Sequence, residues 1–171
     1  MNCTPLTAAP ALPATTLVEK CYYRMFYNCT ALTAAPELPA TKLAAECYNQ
    51  MFSRCTSLTA APELPATTLV EYCYYQMFSS CTSLTTAPVL PATTLVDHCY
   101  YGMFDGCSKL ATVTSLAESG INTNNSTTNW LKNTGTQAQG TKTFYAVSWA
   151  EWPEPNNNGI PDGWTRVNVD N

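Results

Sequence analysis

The cysteines of this chain fall into two series with one shared spacing, and that spacing limits the fold more than any other feature. Cys3, Cys29, Cys55, Cys81 and Cys107 lie 26 residues apart, as do Cys21, Cys47, Cys73 and Cys99. Both series belong to a longer motif, which reads CTALTAAPELPATKLAAECYNQMFSR from Cys29 and recurs with small changes from Cys3, Cys55 and Cys81. A fifth copy opens at Cys107 as CSKLATVTSL and then departs. A unit this short cannot bury its own apolar side and must stack on copies of itself. The positions that do not vary are Cys3, Leu6, Pro10, Leu12, Pro13, Ala14, Leu17, Cys21, Tyr22, Met25 and Phe26 with their equivalents, mostly apolar as a shared core requires. The cysteines are therefore repeat positions. Equivalent thiols about one strand spacing apart and pointing the same way are expected to be buried small hydrophobes rather than disulfides.

Composition agrees with this. Of the 171 residues 46% are hydrophobic and only 12% charged, which points to extensive buried surface or an uncharged interacting face. The eight Lys and Arg are scattered and the net charge is −4, the wrong balance for a nucleic-acid partner. No apolar run is long enough to span a membrane.

Spacing also predicts the local structure of each unit. Leu6-Thr7-Ala8-Ala9 reads as a short strand of a parallel sheet, limited by Pro10 because proline removes a ladder donor. Thr16 with Glu19, Thr68 with Glu71 and Thr94 with Asp97 read as capping boxes. Leu17, Cys21 and Met25 follow at i, i+4 and i+8, the inward stripe of a two- to three-turn helix. Phe26, off that stripe, is expected to plug the turn into the next unit. The fold class expected is α/β, a leucine-rich-repeat solenoid with strands on one face and short helices on the other, over residues 1–116. A cap over residues 117–171 is expected to contain a helix at 127–132 and strands at 142–147 and 164–169. Its tryptophans, Trp130, Trp149, Trp152 and Trp164, are expected to cover the end of the core.

The spacing C-x-x-L-x-x-A-P-x-L-P-A-x-x-L-x-x-x-C-Y-x-x-M-F resembles the BspA-like (treponemal-type) leucine-rich repeats of bacterial surface proteins, common in gut Bacteroidales. The 26-residue unit is longer than the family's usual one, and Met-Phe stands where the family has Ala-Phe. In the C-terminal segment NWLKN, TKTFYAV and NGIPDGWTRV are similar to the cap that closes many such arrays. The resemblance implies a non-catalytic, extracellular or cell-surface module that binds a protein or glycan, with an export signal expected upstream of the chain.

The residues themselves offer no catalytic or metal set and no cofactor motif. His98, whose equivalents are Lys20, Glu46 and Tyr72, is expected at the surface. Tyr22, Tyr48, Tyr74 and Tyr100 are expected at the core edge with their hydroxyls reaching water. Two faces remain as candidate ligand sites. Thr7, Thr33, Thr59 and Thr85 would line the sheet face, with Glu37 and Glu63 at its edge, and Tyr23, Tyr75 and Tyr101 would form an outward aromatic column. The alternative to a binding module is an assembly protein that self-associates through an uncapped first repeat.

Overall fold

A computed structural model of the protein describes residues 6–169. Its regular structure is one parallel sheet of four strands in the order β1-β2-β3-β4: β1 Val89–Leu90, β2 Thr112–Ser115, β3 Lys142–Ala146 and β4 Trp164–Asn168. The registers pair Val89 with Thr114, Val113 with Phe144, and Phe144 with Arg166. In the earlier units the expected strands shrink to isolated parallel bridges, among them Ala8 with Ala34 and Ala60 with Thr86. Proline explains the difference. Each of the first four copies carries two prolines just after the bridge, whereas the fifth copy, KLATVTSLAES, has none, and β2 forms there. The two expected C-terminal strands are present as β3 and β4.

The expected helices are absent among the described residues, and the backbone shows why. From Lys20 to Cys29 the N–H groups alternate between two partners. Those of Cys21, Tyr23, Met25, Tyr27 and Cys29 donate to the carbonyl three residues back, closing tight turns. Those of Lys20, Tyr22, Arg24, Phe26 and Asn28 donate to Ala45, Cys47, Asn49, Met51 and Ser53 of the next unit, at 2.8–3.1 Å. An α-helix spends its interior N–H groups internally; here every second one binds the neighbouring unit. The chain stays in register by taking a positive φ at every fourth residue: Lys20 (57°), Arg24 (53°) and Asn28 (59°), then Glu46, Gln50 and Arg54, then Tyr72, Gln76 and Ser80. In the fourth unit His98, Gly102 and Gly106 hold these places. With no helix to cap, the expected capping threonines serve elsewhere: Thr16 bridges Lys42 and Thr94 bridges Ser119.

The period of this turn ladder is four residues, close enough to the helical 3.6 to give the same i, i+4, i+8 stripe. The two differ at Phe26, which a helix leaves off its stripe and the ladder buries. In the second unit Cys47, Tyr48, Met51 and Phe52 are all fully buried, as is Cys55, which opens the third. Equivalent rings stack from unit to unit. Phe26, Phe52, Phe78 and Phe104 form one column at 5.5–5.6 Å between centroids. Tyr22, Tyr48, Tyr74 and Tyr100 form another at 5.7–6.1 Å, which Trp130 continues at 6.3 Å. Tyr48, Tyr74 and Tyr100 are therefore core, not core edge, and the Tyr74 hydroxyl is buried without a partner.

The thiols are buried too, apart from exposed Cys21; Cys3 lies outside the described residues. Cys55, Cys81 and Cys107 each donate to the carbonyl 29 residues back, of Phe26, Phe52 and Phe78, at 3.1 Å. Burial pushes the Cys47 thiol up to about 11 and the Cys99 thiol up to about 12, so these groups are poor nucleophiles at neutral pH.

The turn ladder outlasts the recognisable repeat. His98, Tyr100, Gly102, Phe104 and Gly106 donate to Asn124, Ser126, Thr128, Trp130 and Lys132. The positive-φ places there are taken by asparagines, Asn125, Asn129 and Asn133, a residue that tolerates this conformation. Residues 127–132, expected as a helix, belong to this ladder. Beyond it Trp130 stacks on Trp152 at 4.9 Å, and Phe144 meets both rings edge-on, closing the core. The Trp130 indole donates to Gly159 at 2.7 Å.

Candidate binding surfaces

Three groups of candidate residues are exposed in different degrees and do not converge on one cleft. Thr7, Thr33, Thr59 and Thr85 form an exposed column. The backbone N–H groups of Thr33, Thr59 and Thr85 each donate to the threonine carbonyl one unit back, at 2.9–3.5 Å. The hydroxyls of Thr33 and Thr85 also donate to those carbonyls. Part of the column's polarity is thus spent on stacking, and what it offers outward is small and neutral.

Glu37 and Glu63 stand elsewhere, on the A-P-E-L-P segments. Leu12, Leu38 and Leu64 point into the core, and the flanking prolines are left outside as rigid ridges. Between successive ridges lie clefts. One of about 340 Å³ is walled by Pro13 of the first unit and Pro36 and Pro39 of the second, with Glu37 at its rim. The next, about 310 Å³, lies between Pro36 and Pro39 and the Pro62 and Pro65 pair, with Glu37 and Glu63 both lining it. Adjacent clefts share a wall, so the surface is a row of like apolar slots bearing carboxylates at the repeat spacing. None of the threonines or tyrosines lines either slot. Proline pairs in a repeat were visible in the sequence, but a slot needs two units and appears only when they stack.

The tyrosine column is real in part. Tyr75 stacks on Tyr101 at 4.8 Å, whereas Tyr23 stands apart and 43% exposed, since Asn49 fills the place between. Arg24 lies over Tyr27 at 4.1 Å instead. His98, expected at the surface, is half-buried: its ring stacks on Tyr72 at 4.5 Å and lies beside Tyr101, and its Nδ1 contacts the Asp97 carboxylate. What looked like a position open to any residue is a column whose neighbours match one another. Lys20 pairs with Glu46 at 3.0 Å, and Tyr72 with His98. One column further along, Gln50 donates to Gln76 at 2.7 Å.

Among the described residues no group of three or more His, Cys, Asp or Glu could hold a metal ion, and no helix is long and apolar enough to cross a membrane. Comparison of the chain with protein-family models, curated proteins and solved structures gives no match.

Proposed function

We propose that this chain is a non-catalytic recognition module of the BspA-like leucine-rich-repeat kind, a solenoid that binds a protein or glycan at a cell surface. The observation that carries this reading is the row of proline-walled slots rimmed by Glu37 and Glu63, an apolar relief with charge at regular intervals. Rigid apolar clefts with a few placed polar groups are what binding surfaces require. A repeated relief suits an extended or repetitive partner. The thiols add to the case against chemistry, since burial holds them protonated.

The test is adhesion of the chain to epithelial cells and to glycan arrays. Replacing Glu37 and Glu63 by Lys should lower binding at least about tenfold with thermal unfolding unchanged, because both side chains are exposed. Replacing Thr33, Thr59 and Thr85 by Arg tests the threonine face in the same way. Binding unaffected by either set would sink the reading.

A second reading, end-to-end assembly, has its own observation. Met51, Met77 and Met103 are 0% exposed, but Met25 is 42% exposed, and Cys21 and Val18 beside it are exposed as well. The carbonyls of Glu19, Cys21, Tyr23, Met25 and Tyr27, equivalent to the acceptors at Ala45 through Ser53, receive no N–H among the described residues. This edge fits a donor row from a like repeat. Two copies meeting edge to edge here would oppose acceptor to acceptor. Light scattering distinguishes the readings: a monomer at high concentration counts against assembly.

A further inference from the structure

Trp149 is the exception among the tryptophans. Trp130 and Trp152 are buried in the closing stack and Trp164, in β4, is half-buried against the core, but Trp149 is 57% exposed. Its exposure is not looseness. The Arg166 guanidinium, reaching from β4, donates to the carbonyls of Val147, Ser148 and Ala150 at 2.8–3.4 Å and so fastens the loop on both sides of the ring. Facing it is a second braced loop. Glu118 and Ser119 donate through their N–H groups to Thr93, and the Gly120 carbonyl accepts from the hydroxyls of Thr123 and Ser126. Gly120 has φ +74°, and a Cβ there would run into the Leu95 carbonyl, so this loop can take few other shapes. Between the two loops lies an open cleft of about 300 Å³, lined by Glu118, Ser119, Gly120, Ile121, Trp149 and Glu151.

The chemistry of the lining is one-sided. Neither Glu118 nor Glu151 has an ion-pair partner among the described residues. The Ser119 hydroxyl donates to Thr94 at 3.2 Å. The side chains therefore offer an aromatic face, two carboxylates and a single free donor, the Trp149 indole N–H at the edge of the ring. A sugar needs donors as well as acceptors, whereas a cation on an apolar stem needs an aromatic face and acceptors alone. We propose that the cleft between Trp149 and Glu118 binds an alkylammonium group, with the ring over the carbon-bound charge and the glutamates on either side. The cleft is separate from the proline slots and does not depend on the reading given for them.

Ligand-observed NMR on the intact chain tests this with four probes: choline, Nα-acetyl-lysine amide, uncharged 3,3-dimethylbutanol and N-acetylglucosamine. Choline or the lysine amide should show saturable binding, and the stronger of the two tells a quaternary headgroup from a peptide side chain as the natural source. Affinity should fall about tenfold in Trp149→Leu and in the Glu118→Gln, Glu151→Gln double variant. All three substituted side chains are exposed, so unchanged thermal unfolding checks that each variant is folded. Absence of binding by both cations overturns the proposal. So does equal binding of 3,3-dimethylbutanol, or binding of the sugar alone.

Discussion

Two stretches of this molecule share one backbone and almost no side chains. Residues 99–107 read CYYGMFDGC, and residues 126–134, which take the next set of ladder bonds, read STTNWLKNT. Place by place, Ser126 stands for Cys99, Trp130 for Met103, Leu131 for Phe104 and Thr134 for Cys107. The correspondence extends to single bonds. Cys107 donates its thiol to the Phe78 carbonyl, and Thr134 donates its hydroxyl to the Phe104 carbonyl at 2.8 Å. Both serine and threonine are buried, each with a carbonyl to bond. The ladder thus demands a small donor, a bulky apolar pair and a residue tolerant of positive φ at every fourth place. It does not demand cysteine or glycine. Thiols meet the demand in the repeats and hydroxyls at the closing end, where Asn129 and Asn133 replace Gly102 and Gly106.

The comparison breaks most severely at its bulkiest difference. Trp130→Ala removes the ring on which Tyr100, Phe144 and Trp152 converge. It should cost about 4 kcal/mol in a denaturant titration, and a loss under 1 kcal/mol would mean that the end of the stack closes without it.

Alkali separates the two stretches next. The buried thiols hold their protons above the ordinary value of 9.0, because burial penalises the thiolate; Cys73, Cys81 and Cys107 are raised along with Cys47 and Cys99. An unfolded chain releases those protons near pH 9, so the folded state binds more protons above it and stability must fall as pH rises. The melting temperature should be level below about pH 8 and drop from pH 9 towards 11 and 12. Cys47, pushed up to about 11, and Cys99, pushed up to about 12, each account for on the order of 3 kcal/mol by the top of that window. The buried tyrosines Tyr48, Tyr74 and Tyr100, raised in the same way, add to the fall. Cys99→Ser with Cys107→Thr, which copies the closing stretch into the repeat, should flatten the alkaline limb. An unchanged limb would refute the assignment.

The finest difference lies in one bond. Thr134→Val keeps the shape and removes the hydroxyl donor to Phe104, and should cost about 1 kcal/mol. Thr134→Cys restores the donor of the repeats and should recover most of that loss. Equal stability of the two variants would show that the bond is idle.

The stacking of the units was legible in the 26-residue period, and the last strand in the turn signals of Asn158-Gly159 and Pro161-Asp162-Gly163 ahead of it. The helices were misread for a definite reason. A four-residue turn ladder and a 3.6-residue helix place Leu17, Cys21 and Met25 alike over so short a stretch. Two signals separate them. Phe26 recurs beside Met25 as faithfully as Tyr22 beside Cys21, a pairing that repeats every four residues. Gly102 with Gly106, and Asn125, Asn129 and Asn133, mark a left-handed backbone at the same interval. The candidate surfaces were less legible. Glu37 and Glu63 were found at an edge, but the proline slots need walls from two units. The Trp149 cleft joins residues thirty apart, which only the fold brings together.

The aromatic columns also have an optical consequence. Rings spaced 5.7–6.3 Å apart from Tyr22 to Trp130 form an unbroken series of coupled chromophores that ends on the one of lowest excitation energy. Light absorbed by any tyrosine of the series passes down it and leaves as indole emission. The folded chain, with ten tyrosines to four tryptophans, will therefore fluoresce as a tryptophan protein. The return of tyrosine emission marks the moment the column comes apart.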